Sequence, residues 1–299
     1  MAYASGLLEA LIGVRAPRCY AQNEESDAVV LWLEDLVEDA GGWTLERFGQ
    51  VAHDLGRFGG AYARGAPLPD WSWLSRRWLA PWVAQAAAGF HTFREELRDP
   101  LLSRLYPPEV ASVMLALWEA RDRILSVLAR QRQILSHLDA VPANAILRHG
   151  TTYLIDWAFV GLAALGEDLA PLVGGSTMFG GPPPEHLPAI DKVAFPAYVA
   201  GLRTSGWDDD PRLVRFVYCA AAALRYCVGP TTWYVCGMNA DGTPADVGGI
   251  RDLRQRAIHE DHFGLPFTEI LRRTAANVRF LALALGVEAL NLLPDYERA

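Results

Sequence analysis

The chain has 299 residues, 51% hydrophobic and 21% charged, with a formal net charge of −8. That is a soluble globular composition with room for a large core in one or two domains, and its acidity argues against a broad nucleic-acid-binding surface. No run of 18 apolar residues occurs and no basic stretch leads into an apolar one at the N-terminus, so neither a membrane span nor a secretion signal is expected. The four cysteines, Cys19, Cys219, Cys227 and Cys236, form no close metal pair, and the expectation is reduced thiols in the cytoplasm.

In chain order, residues 1–12 carry Leu7, Leu8 and Leu11 at helical spacing and predict a helix stopped by Gly13. Residues 15–20 and 28–35 predict two strands joined by a polar turn over 22–27. Thr44 is placed to cap a helix over 45–64. The glycines of GRFGG at 56–60 lie in that helix with Leu55, Phe58 and Tyr62 on one face. No strand precedes them, so they support neither a P-loop nor a dinucleotide loop and are read as sites of close helix packing. Pro67, Pro69 and Asp70 break the helix. Trp71, Trp73, Trp78 and Trp82 follow, with Pro81 at a helix start. They suit stacking on a ligand ring or a packed helix junction, the commoner use of aromatic side chains. Residues 109–136 predict the longest early helix, through Val110, Val113, Met114, Leu117, Ile124, Leu125 and Leu128.

That helix delivers the chain to LSHLDAVPANAIL, in which His137, Asp139 and Asn144 form the pattern H-x-D-x-x-x-x-N. Seventeen positions after Asp139, the apolar run Tyr153-Leu154-Ile155 reads as a short strand and ends in Asp156. The chemistry suits phosphoryl transfer. One carboxylate orients an attacking hydroxyl and accepts its proton, while an amide and a second carboxylate hold magnesium on the phosphates. The bland alternative makes Asp139 and Asn144 loop residues beside Pro142, with Asp156 a helix cap.

The two segments resemble the aminoglycoside phosphotransferase family, small-molecule kinases in which the catalytic loop reads like HLDAxxxN and the metal-binding segment like IDW. The resemblance implies an α+β, mostly helical, protein-kinase-like fold: a truncated N-lobe and hinge over 1–39 and a helical C-lobe over 40–299. It implies Asp139 as the base, His137 as the brace of its loop, Asn144 and Asp156 as ligands of Mg2+, and ATP as the donor. It makes the backbone of Glu34, Asp35 and Leu36 the adenine-facing hinge. The implied acceptor is a small-molecule hydroxyl, with no nucleic-acid or membrane partner.

Two departures stand beside the resemblance. No glycine-rich phosphate loop is present, and Lys192 is the only lysine, too late in the chain for the kinase lysine that holds the α- and β-phosphates. An active kinase, a non-catalytic pseudokinase-like binding protein, and a sequence that begins at an internal methionine therefore all remain open. Glu9 is the only candidate for the glutamate that would pair with such a lysine, or else a solvated helix residue.

Beyond Asp156, residues 162–173 predict a helix in which Glu167 and Asp168 are either anchors beneath the site or a solvated pair. Residues 174–184 form a Gly- and Pro-rich loop, and helices are expected over 186–204, 211–227 and 251–285. Asp208, Asp209 and Asp210 suit a cationic acceptor or, more simply, a solvated capping turn. His259 and His262 are three apart rather than four, which argues against the zinc spacing of HExxH.

Overall fold

The computed structural model describes residues 1–26, 28–177, 181–231 and 267–297. Two compact units emerge. One comprises Met1–Arg76, Arg132–Ser176 and Ala189–Pro211, and the other Arg77–Gln131, Thr177–Pro188 and Arg212–Ala299.

The first unit begins with two short 3-10 turns, Ala2–Ala4 and Leu7–Glu9, rather than the expected helix. Gly6 adopts φ +75° between them, a left-handed conformation that halts a right-handed helix. Glu9 is exposed. The first strand pair is β1 (Cys19–Glu24) with antiparallel β2 (Val29–Leu33). β1 starts later than the sequence predicts because Pro17 has no N–H to donate to a ladder. Arg15 bridges elsewhere, its N–H donating to the Thr152 carbonyl at 2.9 Å and its carbonyl accepting from the Leu154 N–H at 2.8 Å.

Helix α1 (Leu45–Ala63) forms as predicted, with the Thr44 hydroxyl accepting from the Arg47 N–H. Its glycines do allow a close approach. A Cβ on Gly56 would lie 2.1 Å from the Tyr198 carbonyl oxygen, and one on Gly201 would lie 2.0 Å from that of His53. The segment bearing His137, Asp139, Asn144 and Asp156 then runs through β3 (Gln133–Ser136), the hairpin β4 (Ala145–Arg148) and β5 (Thr151–Leu154), β6 (Gly161–Ala164) and helix α5 (Leu169–Gly174). β3 pairs antiparallel with β6, and β4 with β5. His149 and Gly150, at φ 50° and 71°, make the two-residue left-handed turn that matches strand twist.

Two helix predictions fail at their ends for one reason. Residues 133–136 (QILS) and 161–164 (GLAA) are runs of only four residues, too short for periodicity to assign to helix or strand. Here they pair with each other, and Ser75 adds a parallel bridge to Gly161. Helix α5 is consequently shortened to Leu169–Gly174.

The second unit is helical: α2 (Leu79–Glu96), α3 (Pro100–Leu105), α4 (Pro108–Arg130), α7 (Pro211–Ala223), α8 (Phe267–Phe280) and α9 (Val287–Glu297). Helix α6 (Leu187–Thr204) starts in this unit and continues in the first. Phe90 stacks on Trp118 at 4.5 Å, and the Arg225 guanidinium lies 3.5 Å from the Trp82 ring centroid. Trp78 is buried, while Trp71 stacks on Trp73 within the first unit. These contacts make Trp78 and Trp82 packing residues.

The C-terminal run Leu271–Glu297 is long and apolar enough to cross a membrane by length and composition, with a mean hydropathy of 1.4. Glu288 within this run is ion-paired with Arg215, and Glu297 at its end with Arg123. Asp208, Asp209 and Asp210 sit in an exposed turn before α7. His259, Glu260, Asp261, His262 and Cys236 lie outside the described residues.

Candidate active site

The site grows from the turn between β3 and β4. Leu138 is buried at φ +67°, a conformation that costs a non-glycine residue roughly 1–2 kcal/mol. The compensation is specific. The Leu138 N–H donates to Asp168 Oδ1 at 2.6 Å, a buried charge-assisted bond. Twisting the chain at Leu138 brings the next residue, Asp139, to partial exposure.

His137 is fully buried, edge-on to the Trp157 ring at 4.6 Å. Its Nε2–H donates to the Ile155 carbonyl at 2.9 Å, and its Nδ1 accepts the Asp139 N–H at 3.2 Å. Those partners assign the neutral tautomer. Burial pushes its pKa down to about 4, opposed by the Ile155 carbonyl. The ring thus ties the loop of Asp139 to the segment of Asp156 without carrying charge.

Asn144 closes the loop from the other side. Its Nδ2 donates to Asp139 Oδ2 at 2.9 Å and to the Asp139 carbonyl at 3.0 Å. With the amide nitrogen turned to Asp139, the amide oxygen is the end available to a cation. The Asn144 carbonyl accepts from the Ile155 N–H at 3.0 Å, so Asp156, the next residue, is held beside this pair. Asp156 is exposed at φ 57°, and its Oδ1 makes a long 3.4 Å contact to the Ala158 N–H. The capping role that sequence allowed is therefore present but weak. An amide oxygen and an exposed carboxylate are hard oxygen donors of the kind Mg2+ takes.

The segment expected to form the hinge is tied down at its first residue. The Glu34 N–H is already donated to the Arg18 carbonyl at 2.8 Å. Its carboxylate pairs with Arg148 at 3.0 Å and accepts the Arg18 N–H at 3.3 Å. Glu34 is thus an anchor of the segment, which leaves Asp35 and Leu36 as its span.

Three contributors escaped the sequence reading or were left undecided by it: the pair Glu167 and Asp168, then Asp54, then Tyr3. Asp168 and Glu167 are buried anchors, not a solvated pair: Glu167 Oε1 accepts the Ala164 N–H at 2.9 Å. Burial pushes Glu167 up to about 7 and Asp168 up to about 6. Asp54, buried in α1, accepts the Thr152 hydroxyl at 2.7 Å and steadies β5. Tyr3 is the third. Burial foremost, with Cys19 and Asp156 adding to it, raises its phenol to about 12. Nothing in the N-terminal sequence flagged Tyr3. Asp168, by contrast, could have been suspected from a charge set between Leu165 and Leu169.

Comparison with known proteins agrees with this architecture. The family model described as the phosphotransferase enzyme family matches residues 3–207. No curated protein matches the chain. Among solved structures, a choline/ethanolamine kinase family protein from Mesorhizobium loti superposes with a TM-score of 0.52 at 12% identity. The superposition covers 97% of this chain and 79% of that one. The amicoumacin kinase hAmiN, in complex with AMP-PNP, Ca2+ and Ami, gives a TM-score of 0.51 at 13% identity, over 92% and 74%. The fold is kinase-like and rich in helix.

Proposed function

Since the chain belongs to the phosphotransferase enzyme family, we propose that it transfers the γ-phosphoryl group of ATP to a hydroxyl of a small molecule. The observation that carries this reading is the Asp139 carboxylate held by Asn144 at 2.9 Å, on a loop that the buried neutral His137 ties to the segment bearing Asp156.

Asp139 receives the acceptor hydroxyl. As the hydroxyl oxygen bonds to the γ-phosphorus, its proton passes to the Asp139 carboxylate, and the bond from phosphorus to the bridging oxygen breaks to leave ADP. Asn144 keeps one Asp139 oxygen occupied and so points the other at the hydroxyl. Asn144 and Asp156 are the residues that would hold Mg2+, which, when bound, neutralises charge developing on the phosphates. Backbone groups of Asp35 and Leu36 receive the adenine, with Glu34 as their anchor. The hAmiN complex contains a nucleotide analogue and a divalent cation, in keeping with this assignment.

The chain's only lysine, Lys192, lies exposed on α6, so turnover is expected to be slow. Phosphoryl transfer depends on electrostatic positioning that such a lysine normally supplies. The test is ATP turnover against a panel of hydroxylated small molecules, aminoglycosides included, for the wild type and Asp139→Asn. Acceptor-dependent turnover lost in Asp139→Asn supports the proposal. Magnesium-dependent nucleotide binding without turnover against any acceptor favours a non-catalytic binding protein. Nucleotide binding unchanged in Asp156→Ala would remove Asp156 from the metal site.

A further inference from the structure

The hairpin β4–β5 touches the site at both of its ends. At its base, Asn144 immediately precedes β4, and Asp156 follows β5 by two residues. At its tip, the hairpin is bonded to the segment that follows β2. Arg148 NH1 reaches Glu34 Oε1 at 3.0 Å. Five residues later the Asp39 N–H donates to the Leu147 carbonyl at 2.9 Å, and the Asp39 carboxylate accepts the His149 N–H at 2.8 Å. Asp35 and Leu36 are thereby suspended between two attachments to the same hairpin tip.

The far side of the second attachment is also fixed. Arg47 of α1 pairs with Glu38 and donates to the carbonyls of Asp39 and Ala40. The hairpin itself is held by the Thr152–Asp54 bond and by Arg15 alongside β5. Four paired residues on each strand make it a rod of about 13 Å at ordinary strand rise.

We infer that Arg148 is a positioning residue: by holding Glu34 it fixes the nucleotide-facing span 35–36 on the hairpin tip, whether or not a metal is bound. The inference rests on the nucleotide-binding reading above. Arg148 touches neither the reacting atoms nor the proposed metal ligands. Its effect is transmitted through one ion pair whose side chains are 34% and 28% exposed. A pair that open to water is worth a modest amount, so its loss should weaken nucleotide binding without abolishing it.

The experiment is calorimetric titration of the whole chain with ADP, with and without Mg2+, for the wild type, Arg148→Ala, Arg148→Lys and Asp156→Ala, alongside melting temperatures. Arg148→Ala is expected to bind ADP about two- to fivefold more weakly, by the same factor with and without Mg2+ and with a melting temperature near wild type. Arg148→Lys, which keeps the charge, should recover most of the loss. Asp156→Ala should lose only the increment that Mg2+ adds.

Wild-type affinity in Arg148→Ala, while Asp156→Ala still loses its Mg2+ increment, would overturn the inference and leave the nucleotide reading standing. A loss confined to the Mg2+ titration, or one that follows a fall in melting temperature and is not recovered by lysine, would overturn it as well. No ADP binding by the wild type under either condition would remove this inference together with its premise.

Discussion

Two antiparallel strand pairs of the first unit, β1–β2 and β3–β6, are alike in pairing and opposite in burial. In β3–β6, Ile134, Leu135, Leu162, Ala163 and Ala164 are all buried, and the two strands lie directly before and after the stretch that carries Asp139, the β4–β5 hairpin and Asp156. In β1–β2, Tyr20, Val29, Leu31 and Trp32 are exposed, at 64%, 55%, 36% and 59%. Two-stranded ribbons are marginal on their own. β3–β6 is therefore sustained by burial, whereas β1–β2 depends on its ladder and on the anchors at Glu34 and Asp39. The same difference separates the loop proposed for catalysis, set against buried strands, from the segment proposed to face the nucleotide, which is tied to the hairpin through Glu34 and Asp39.

Four substitutions test that contrast. The largest effect should come from Asp139→Asn, which removes the proton acceptor and should lower acceptor-dependent ATP turnover by about 10²–10⁴-fold while leaving the circular dichroism spectrum intact. An active Asp139→Asn would detach the chemistry from the buried pair. Next, Ile134→Ala in β3 removes a side chain with no exposure and should cost about 2–5 kcal/mol in urea unfolding. A cost near zero would mean that β3–β6 is not the rigid support described above.

The third test uses pH. Burial raises the Glu167 carboxyl from 4.5 to about 7, so the folded chain retains this proton to higher pH than the unfolded chain does. The contribution of Glu167 to stability must then fall as pH rises from about 4.5 to about 7 and level off above. Glu167→Gln has no such proton. Unfolding midpoints of the variant relative to wild type should therefore improve between pH 5 and pH 8, by on the order of 1–3 kcal/mol. A pH-independent difference would show that Glu167 titrates normally and is not confined. The smallest effect belongs to the other ribbon: Trp32→Ser should change stability by less than about 0.5 kcal/mol. A larger loss would show that β1–β2 is supported by more than its ladder.

What could be read from the residues follows this division. The kinase-like fold was legible because its signature is local. His137, Asp139 and Asn144 share one loop, and Asp156 follows a strand whose ends are marked by Gly150 and by the turn into Trp157. Thr44 and the α1 stripe were legible for the same reason, since a cap and a 3.6-residue period are properties of neighbouring positions. The helix predicted over residues 1–12 was misread because only Leu7 of its three spaced leucines is buried, and Gly6 outweighs the pattern.

Sequence alone therefore determined the family resemblance, the order of the catalytic segments, the central part of α4 and the absence of an N-terminal lysine. It did so because motif spacing, helical period and residue counts need no knowledge of what lies across the chain. The tertiary structure alone decided that 133–136 and 161–164 are strands, since each acquires its ladder from a partner distant in the chain. It decided that Asp168 holds Leu138 in a left-handed turn, since that bond joins residues 30 apart in the chain. It also decided that Glu34 answers to Arg148, 114 residues away. Charges and short apolar runs are ambiguous until their partners are in place, and in this chain those partners lie far away in sequence.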